Sequence, residues 1–232
     1  METSAERVHY IGHSMASLEL VSLLSTKPEY NAMVSSGTLL SPVVYIDHMT
    51  SPLKYLAPVI DQFEEAIEQA QYWEFMKVST DALHSLALVC AEPGLAEPCL
   101  SSAFGLVGVD MTQLNTSMVV PYMDHAISPT ATKILIHWIQ IYQAKQPQTF
   151  ISRDSITEPQ EYLPEMVTIP MMLVSGNRDT LQVGEDVERL DHRVPNVVEH
   201  LRTDNYHVDY VLAMDEVENY RKILQFIQSY KN

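Results

Sequence analysis

Three residues far apart in the chain have the types and local settings of a nucleophile, a base and an acid: Ser14, His207 and Asp179. A serine hydroxyl is a poor nucleophile until an imidazole accepts its proton. The imidazole keeps the right tautomer when a carboxylate sits on its other nitrogen, and that carboxylate also stabilises the cation that forms. Ser14 stands in Gly12-His13-Ser14-Met15-Ala16, a Gly-x-Ser-x-small run. Small residues two before and two after a serine let a strand and a helix approach closely around a sharp turn that exposes the hydroxyl. Gly12 is the first of these; Ala16 brings one methyl group to the place where a second glycine is usual. An ordinary strand–helix turn with a serine near the helix start fits the same five residues.

Other residues compete for the roles. Asp179, in Gly176-Asn177-Arg178-Asp179, also suits a plain turn, and Asp186 and Asp204 are alternative acids. His200 alternates within a strand and His192 ends a helix, where a cation is favoured; both read as structural. His13 is adjacent to the serine, and neighbours on a sharp turn point apart, so it is expected to pack against the top of the sheet. His9 reads as a strand residue. His207 falls in the loop after the last strand, where a mobile base belongs.

The elements that must position these residues follow from hydrophobic spacing. An apolar β-prone run over 8–11 stops at Gly12, and helical spacing begins at Leu18 (Leu18, Val21, Leu24), predicting a helix over 15–26. Residues 33–40 predict the next strand. From about 43 to 164 the texture is helical, with helices predicted over 58–73, 75–90 and 130–143 and no convincing strand. Residues 169–176 form a near-continuous apolar run, as buried parallel strands do. A helix over 184–190, a strand over 197–202 and a helix over 210–230 follow, the last with Val217, Tyr220, Ile223, Leu224 and Ile227 on one face. The order serine, acid, histidine, each after a strand, is that of the α/β-hydrolases, and open parallel sheets react at those strand ends. The expected fold is therefore α/β, a partial α/β-hydrolase sheet with a mainly helical insertion. Its divisions are 1–45 (core with the nucleophile), 46–165 (helical cap or lid) and 166–232 (core with the acid, the histidine and the last helix).

Composition narrows the function classes. The 232 residues are 46% hydrophobic and 19% charged, an ordinary globular balance. With 14 Lys and Arg against 30 Asp and Glu the formal charge is −16, which argues against nucleic acid and anionic membranes as partners. No run reaches the roughly 18 apolar residues of a membrane span. The opening Met1-Glu2-Thr3-Ser4-Ala5-Glu6-Arg7 is polar and unlike a signal peptide. Cys90 and Cys99 flank a short Pro- and Gly-containing stretch that suits either buried thiols or a disulfide. Asn115-Thr116-Ser117 is an N-glycosylation sequon.

Taken together, these segments resemble the animal acid lipases, the family of gastric and lysosomal acid lipase and their insect relatives. Val8-His9-Tyr10-Ile11-Gly12-His13-Ser14 is similar to that family's nucleophile strand, H-Y-[VI]-G-H-S-Q-G, and Leu40-Ser41-Pro42-Val43 to the segment after it. His125 with His137-Trp138 resembles a further block, Gly176 to Asp179 its G-x-x-D turn, and Tyr206-His207-Val208-Asp209-Tyr210 its N-H-L-D-F loop. The resemblance implies Ser14 as nucleophile, Asp179 as acid, His207 as base, and the Met15 N–H as an oxyanion donor. It also implies a Cys90–Cys99 disulfide, no metal or organic cofactor, and neutral lipid esters at a lipid–water interface as substrate. The family's setting is extracellular or lysosomal, which the polar opening does not match, and no oligomeric state follows.

Departures set further expectations. Met15 replaces a glutamine, Ala16 a glycine, and 125–129 and the stretch before Thr168 differ from the family's pattern. The family's N-terminal core half, with the loop giving a second oxyanion N–H, has no counterpart. That predicts an open apolar edge at the first strand, poor stability and a rate lowered by about 10²–10³-fold per missing donor. The alternative function is a catalytically incompetent relative that keeps only lipid or partner binding.

Overall fold

A computed structural model describes residues 5–126 and 128–230. Most of the polar opening (Met1–Ser4) and Ile127 of the 125–129 block lie outside them. The chain begins with β1 (Val8–His13), α1 (Ala16–Thr26), a 3-10 segment (Pro28–Met33) and β2 (Val34–Leu40). A second 3-10 segment (Pro52–Val59) leads to α2 (Ile60–Ala70), β3 (Glu74–Phe75), α3 (Thr80–Cys90), α4 (Ala96–Phe104), α5 (Val119–Ala126), β4 (Thr130–Ala131) and α6 (Thr132–Ala144). It ends with β5 (Met171–Gly176), α7 (Gly184–Arg193), β6 (Val197–Thr203), α8 (Asp209–Leu212) and α9 (Val217–Ser229).

Four strands form one parallel sheet in the order β1-β2-β5-β6. The two central strands are buried along their whole length, as their continuous apolar and small residues require. Side chains alternate between the faces: Met171 and Leu173 of β5 pack with Leu20, Val21 and Leu24 of α1 and with Val187 and Leu190 of α7. Met172 and Val174 pack on the opposite side with Ile223 and Phe226 of α9. Among the described residues β1 is an edge strand, and its Val8 and Ile11 are 56% and 53% exposed.

Several expectations need correction. The helical stretch does contain strands, a two-residue antiparallel ladder in which Glu74 pairs with Ala131 and Phe75 with Thr130. The Cys90–Cys99 disulfide, by contrast, is formed as the resemblance implies, joining the end of α3 to the inside of α4 across a segment that is mostly turn. The last helix is broken at 213–216, where Leu114 bridges Ala213 and the Met214 N–H donates to Gln113 O. These tertiary bonds outcompete helical ones. In α9 the buried face is Ile223 and Phe226, while Val217, Tyr220 and Leu224 are exposed.

Two sets of backbone bonds fasten the helical stretch to the sheet. The Thr50 and Ser51 N–H groups both donate to Thr180 O, beside the turn that carries Asp179. The Val208 N–H donates to Gly108 O, and Asp209, buried after the histidine loop, accepts from Asp110 N–H and Tyr206 N–H.

Candidate active site

β1 ends at His13 and α1 begins at Ala16, so the chain must reverse within two residues. Ser14 takes a left-handed backbone, φ 57°, a conformation that costs a non-glycine residue on the order of 1 kcal/mol or more and persists only where the surroundings enforce it. Its N–H donates to Leu40 O at 2.9 Å, tying the turn to the end of β2. Gly12 is a steric requirement: a Cβ there would lie 2.6 Å from the Tyr10 ring and 3.2 Å from Ala16 Cβ. The single methyl of Ala16 thus fits only because Gly12 has none. Tyr10 closes over the turn and donates its O–H to Ala16 O at 2.8 Å.

Asp179 follows β5 and His207 follows β6, and the two turns nest. Gly176 makes this possible, since a Cβ on it would stand 2.2 Å from Asn205 O. Asn177 N–H donates to Thr203 O and Arg178 N–H to Asn205 O. Asp179, its side chain fully buried, accepts from Leu181 N–H (2.9 Å) and Gln182 N–H (3.0 Å) on Oδ1. Its Oδ2 accepts from His207 Nδ1 at 2.7 Å. With that proton on Nδ1, His207 Nε2 is the acceptor for the Ser14 O–H, 2.7 Å away. The structure therefore brings Ser14, His207 and Asp179 into one hydrogen-bonded relay across 193 residues of sequence separation.

The competitors are engaged elsewhere. Asp204 pairs with Arg178 on the surface, and buried Asp186 accepts from His48 Nδ1 at 2.7 Å. His200 bonds Ser175 and Asp191, His192 donates to Glu188 O one turn back in α7, and His9 bonds Ser36. His13 is not mere packing: its Nε2–H donates to the His207 carbonyl at 2.7 Å. Its pKa is lowered, by burial first and then by neighbouring His207. Sequence reasoning gave this residue only a packing place, although its position beside the serine was the available signal.

Ser14 opens onto an apolar cavity with about 520 Å³ of empty space, part of it continuous with solvent. Met15, Val43, Ile46, Met49, Trp138 and Leu181 are among its lining residues. They come from the elbow, the segment after β2, α6 and the acid turn. Among the described residues the Met15 N–H, at the start of α1, has no hydrogen-bond acceptor, so it can receive an oxygen that develops negative charge at the serine. Asn115 Oδ1 accepts from Ser117 N–H and O–H at a half-buried position far along the helical stretch.

Asp47, His48 and Asp186 offer one ligand atom each within 4.8 Å of one another. The His48–Asp186 hydrogen bond already pairs two of the three.

No protein-family profile matches the chain. Curated relatives do. The chain is 26% identical to gastric triacylglycerol lipase of Mus musculus over 92% of its own length and 56% of that protein's. It is 26% identical to the lysosomal acid lipase/cholesteryl ester hydrolase of Macaca fascicularis, covering 99% of itself and 60% of that protein. Lipase 3 of Drosophila melanogaster is also 26% identical, at 99% and 62%. The chain thus spans somewhat more than half the length of the curated relatives it matches. Among solved structures, BpoC of Mycobacterium tuberculosis, described as a candidate non-heme bromoperoxidase, superposes with a TM-score of 0.52 at 15% identity, covering 96% of this chain and 67% of that one. Rv0554 of the same organism gives 0.52 at 14%, with 96% and 65% covered. The parallel sheet with its flanking helices is a partial α/β-hydrolase fold.

Proposed function

We propose that this chain, similar along nearly its whole length to the animal acid lipases, is a serine hydrolase of neutral lipid esters, acylglycerols or sterol esters. One observation carries the reading: the Ser14–His207–Asp179 relay ends at a serine that opens onto an apolar cavity. An uncharged, greasy lining favours an acyl chain over a charged or peptide substrate.

In this mechanism Ser14 Oγ attacks the ester carbonyl carbon as its proton passes to His207 Nε2. The carbonyl oxygen becomes an oxyanion facing the Met15 N–H, which any residue but proline supplies. The adduct collapses, the ester C–O bond breaks, and the alcohol leaves with the proton from His207. Water then gives a proton to His207 and its oxygen bonds to the acyl carbon, and the fatty acid departs as Ser14 is reprotonated. Asp179 holds the Nδ1 proton throughout and offsets the imidazolium charge. No step calls for a metal or organic cofactor.

The same reading divides the chain into core (1–45), cap (46–165) and core (166–232), with the cap walling the acyl site through Trp138 and its neighbours. The Cys90–Cys99 bond supports an oxidising compartment, and a glycosylated Asn115 suits the secreted or lysosomal setting of the relatives. A second reading, a relative that binds lipid or a partner without turnover, is favoured by the exposed Val8 and Ile11 on the edge of β1.

A fluorophosphonate probe separates the two readings. Labelling that maps to Ser14 and vanishes in Ser14→Ala, with turnover of acylglycerols, supports the enzyme. A chain that circular dichroism shows folded but that neither labels nor turns over lipid esters supports the binding relative.

A further inference from the structure

We infer that His13 is a positioning residue for the base, holding His207 in reach of the nucleophile through its main chain. The inference rests on the reading of Ser14, His207 and Asp179 as the catalytic relay. Consecutive residues of the elbow grip one histidine at two points. Ser14 Oγ bonds the ring at Nε2, and His13 Nε2–H bonds the carbonyl of the same residue, each at 2.7 Å. Among the described residues no other donor is bonded to that carbonyl. His207 is 2% exposed, so an unpaired carbonyl there would be poorly served by water.

The rest of the base loop is anchored on its far side. Asp209 Oδ2 accepts from Tyr206 N–H, and Val208 N–H reaches Gly108 O. Neither bond fixes the distance between the loop and the end of β1. The His13 bond does, because it starts one residue from the nucleophile and ends on the base itself. Asp179 sets which nitrogen of His207 faces Ser14; His13 sets how far away it stands.

The chemistry also favours a neutral donor at this place. The two imidazole rings lie 5.0 Å apart between centroids, and His207 becomes a cation whenever Ser14 attacks. A lysine or arginine at 13 would set a second positive charge beside it. Burial and then the neighbouring His207 lower the His13 pKa, against the hydrogen bond to the His207 carbonyl and the pull of Asp179, which favours a neutral ring that donates without repelling the imidazolium.

The test compares His13→Phe, which keeps a ring without the donor, with His13→Gln, whose amide can donate from about the same distance, and His13→Asn, whose amide is too short. Each is assayed for the rate of fluorophosphonate labelling at Ser14 and for kcat and KM on a p-nitrophenyl ester. Melting curves accompany the assays, and the wild type and Ser14→Ala bracket them. We expect His13→Phe and His13→Asn to lower labelling and kcat by about 10- to 100-fold with KM within about twofold, and His13→Gln to recover most of the loss. Wild-type rates in a folded His13→Phe, or a kcat loss in all three variants that glutamine does not rescue, would overturn the inference. If His13→Phe does not fold, the contrast between asparagine and glutamine decides by the same criterion. A folded wild type that neither labels nor turns over would instead refute the catalytic reading, and the positioning role with it; labelling equal in wild type and His13→Phe would refute the positioning role alone.

Discussion

The described residues hold two Ser–His–Asp relays, and of these two only one has the surroundings for chemistry. In the first, Ser14, His207 and Asp179 are linked by contacts of 2.7 and 2.7 Å. In the second, Ser175, His200 and Asp191 are linked by contacts of 2.8 and 3.0 Å, again through Nε2 and Nδ1. Pairwise geometry barely separates them. Backbone and space do. Ser14 sits in a strained turn with φ 57°, is followed by a Met15 N–H that has no acceptor among the described residues, and opens onto a cavity. Ser175 lies inside β5, a strand buried along its whole length, where a substrate carbonyl has nowhere to approach. Asp179 is fully buried and held by two N–H groups, whereas the Asp191 side chain is 31% exposed. The second relay is a brace joining β5, β6 and α7. Residue types and distances alone thus do not distinguish the two; under the proposed function, what suits Ser14 to act as a nucleophile is that it is turned out of its strand.

The largest expected effect tests that statement directly. Ser14→Ala should abolish labelling and lower ester turnover by about 10⁴-fold or more. Ser175→Ala should leave turnover within about threefold and cost about 1–2 kcal/mol of stability, read as a lower melting temperature, because His200 loses a buried partner. Loss of turnover in a folded Ser175→Ala protein would break the comparison. The acids offer a second contrast. Asp179→Asn should lower kcat by about 10⁴-fold through the wrong imidazole tautomer. Asp191→Asn, distant from the cavity, should leave kcat near wild type in the same assay.

A glycine next to the second serine sharpens the point, because it serves the first relay. A methyl on Gly176 would meet Asn205 O at 2.2 Å and the Tyr210 hydroxyl at 3.2 Å. The histidine loop must then move, and His207 lies two residues beyond Asn205. Gly176→Ala should cost about 1–3 kcal/mol in denaturant unfolding and lower kcat well beyond Ser175→Ala. A variant as active and stable as wild type would mean that the loop is not held by this close approach.

Much of this arrangement was legible in the sequence, and for identifiable reasons. The strands over 8–11, 33–40, 169–176 and 197–202 announce themselves because buried parallel strands are apolar runs bounded by turn residues, and the elbow is marked by Gly12 and Ala16. Ser14, Asp179 and His207 stand out because each follows a strand. The break between α8 and α9 was hidden, since it depends on Gln113 and Leu114, a hundred residues away, rewarding backbone bonds outside the helix. The buried face of α9 was misjudged for a related reason: periodicity shows that a face exists, but which apolar residues meet the sheet depends on how the helix lies on Met172 and Val174. The second relay was invisible as a relay because Ser175 and His200 sit opposite one another only once β5 and β6 are paired in register.

A third histidine–carboxylate pair, His48 with Asp186, lacks a serine and isolates what such a pair does for folding alone. His48 is half exposed, and its Nδ1 lies 2.7 Å from a buried carboxylate. The hydrogen bond to Asp186 raises its pKa above 6.5, opposed by a little burial and helped by the charges of Asp186, Asp47 and Glu185. A folded pKa above the unfolded value means that the protonated pair stabilises fully below 6.5, and that this contribution is lost as pH rises through the raised value. The melting temperature of the wild type relative to Asp186→Asn should therefore fall as pH rises past 6.5, modestly, because solvent screens a half-exposed imidazolium. Added salt should shrink the effect. A relative melting temperature that rises with pH would overturn the assignment. Neither His48 nor Asp186 touches Ser14, His207 or Asp179, so the variant's pH–rate profile should overlay the wild type's while its melting curve does not.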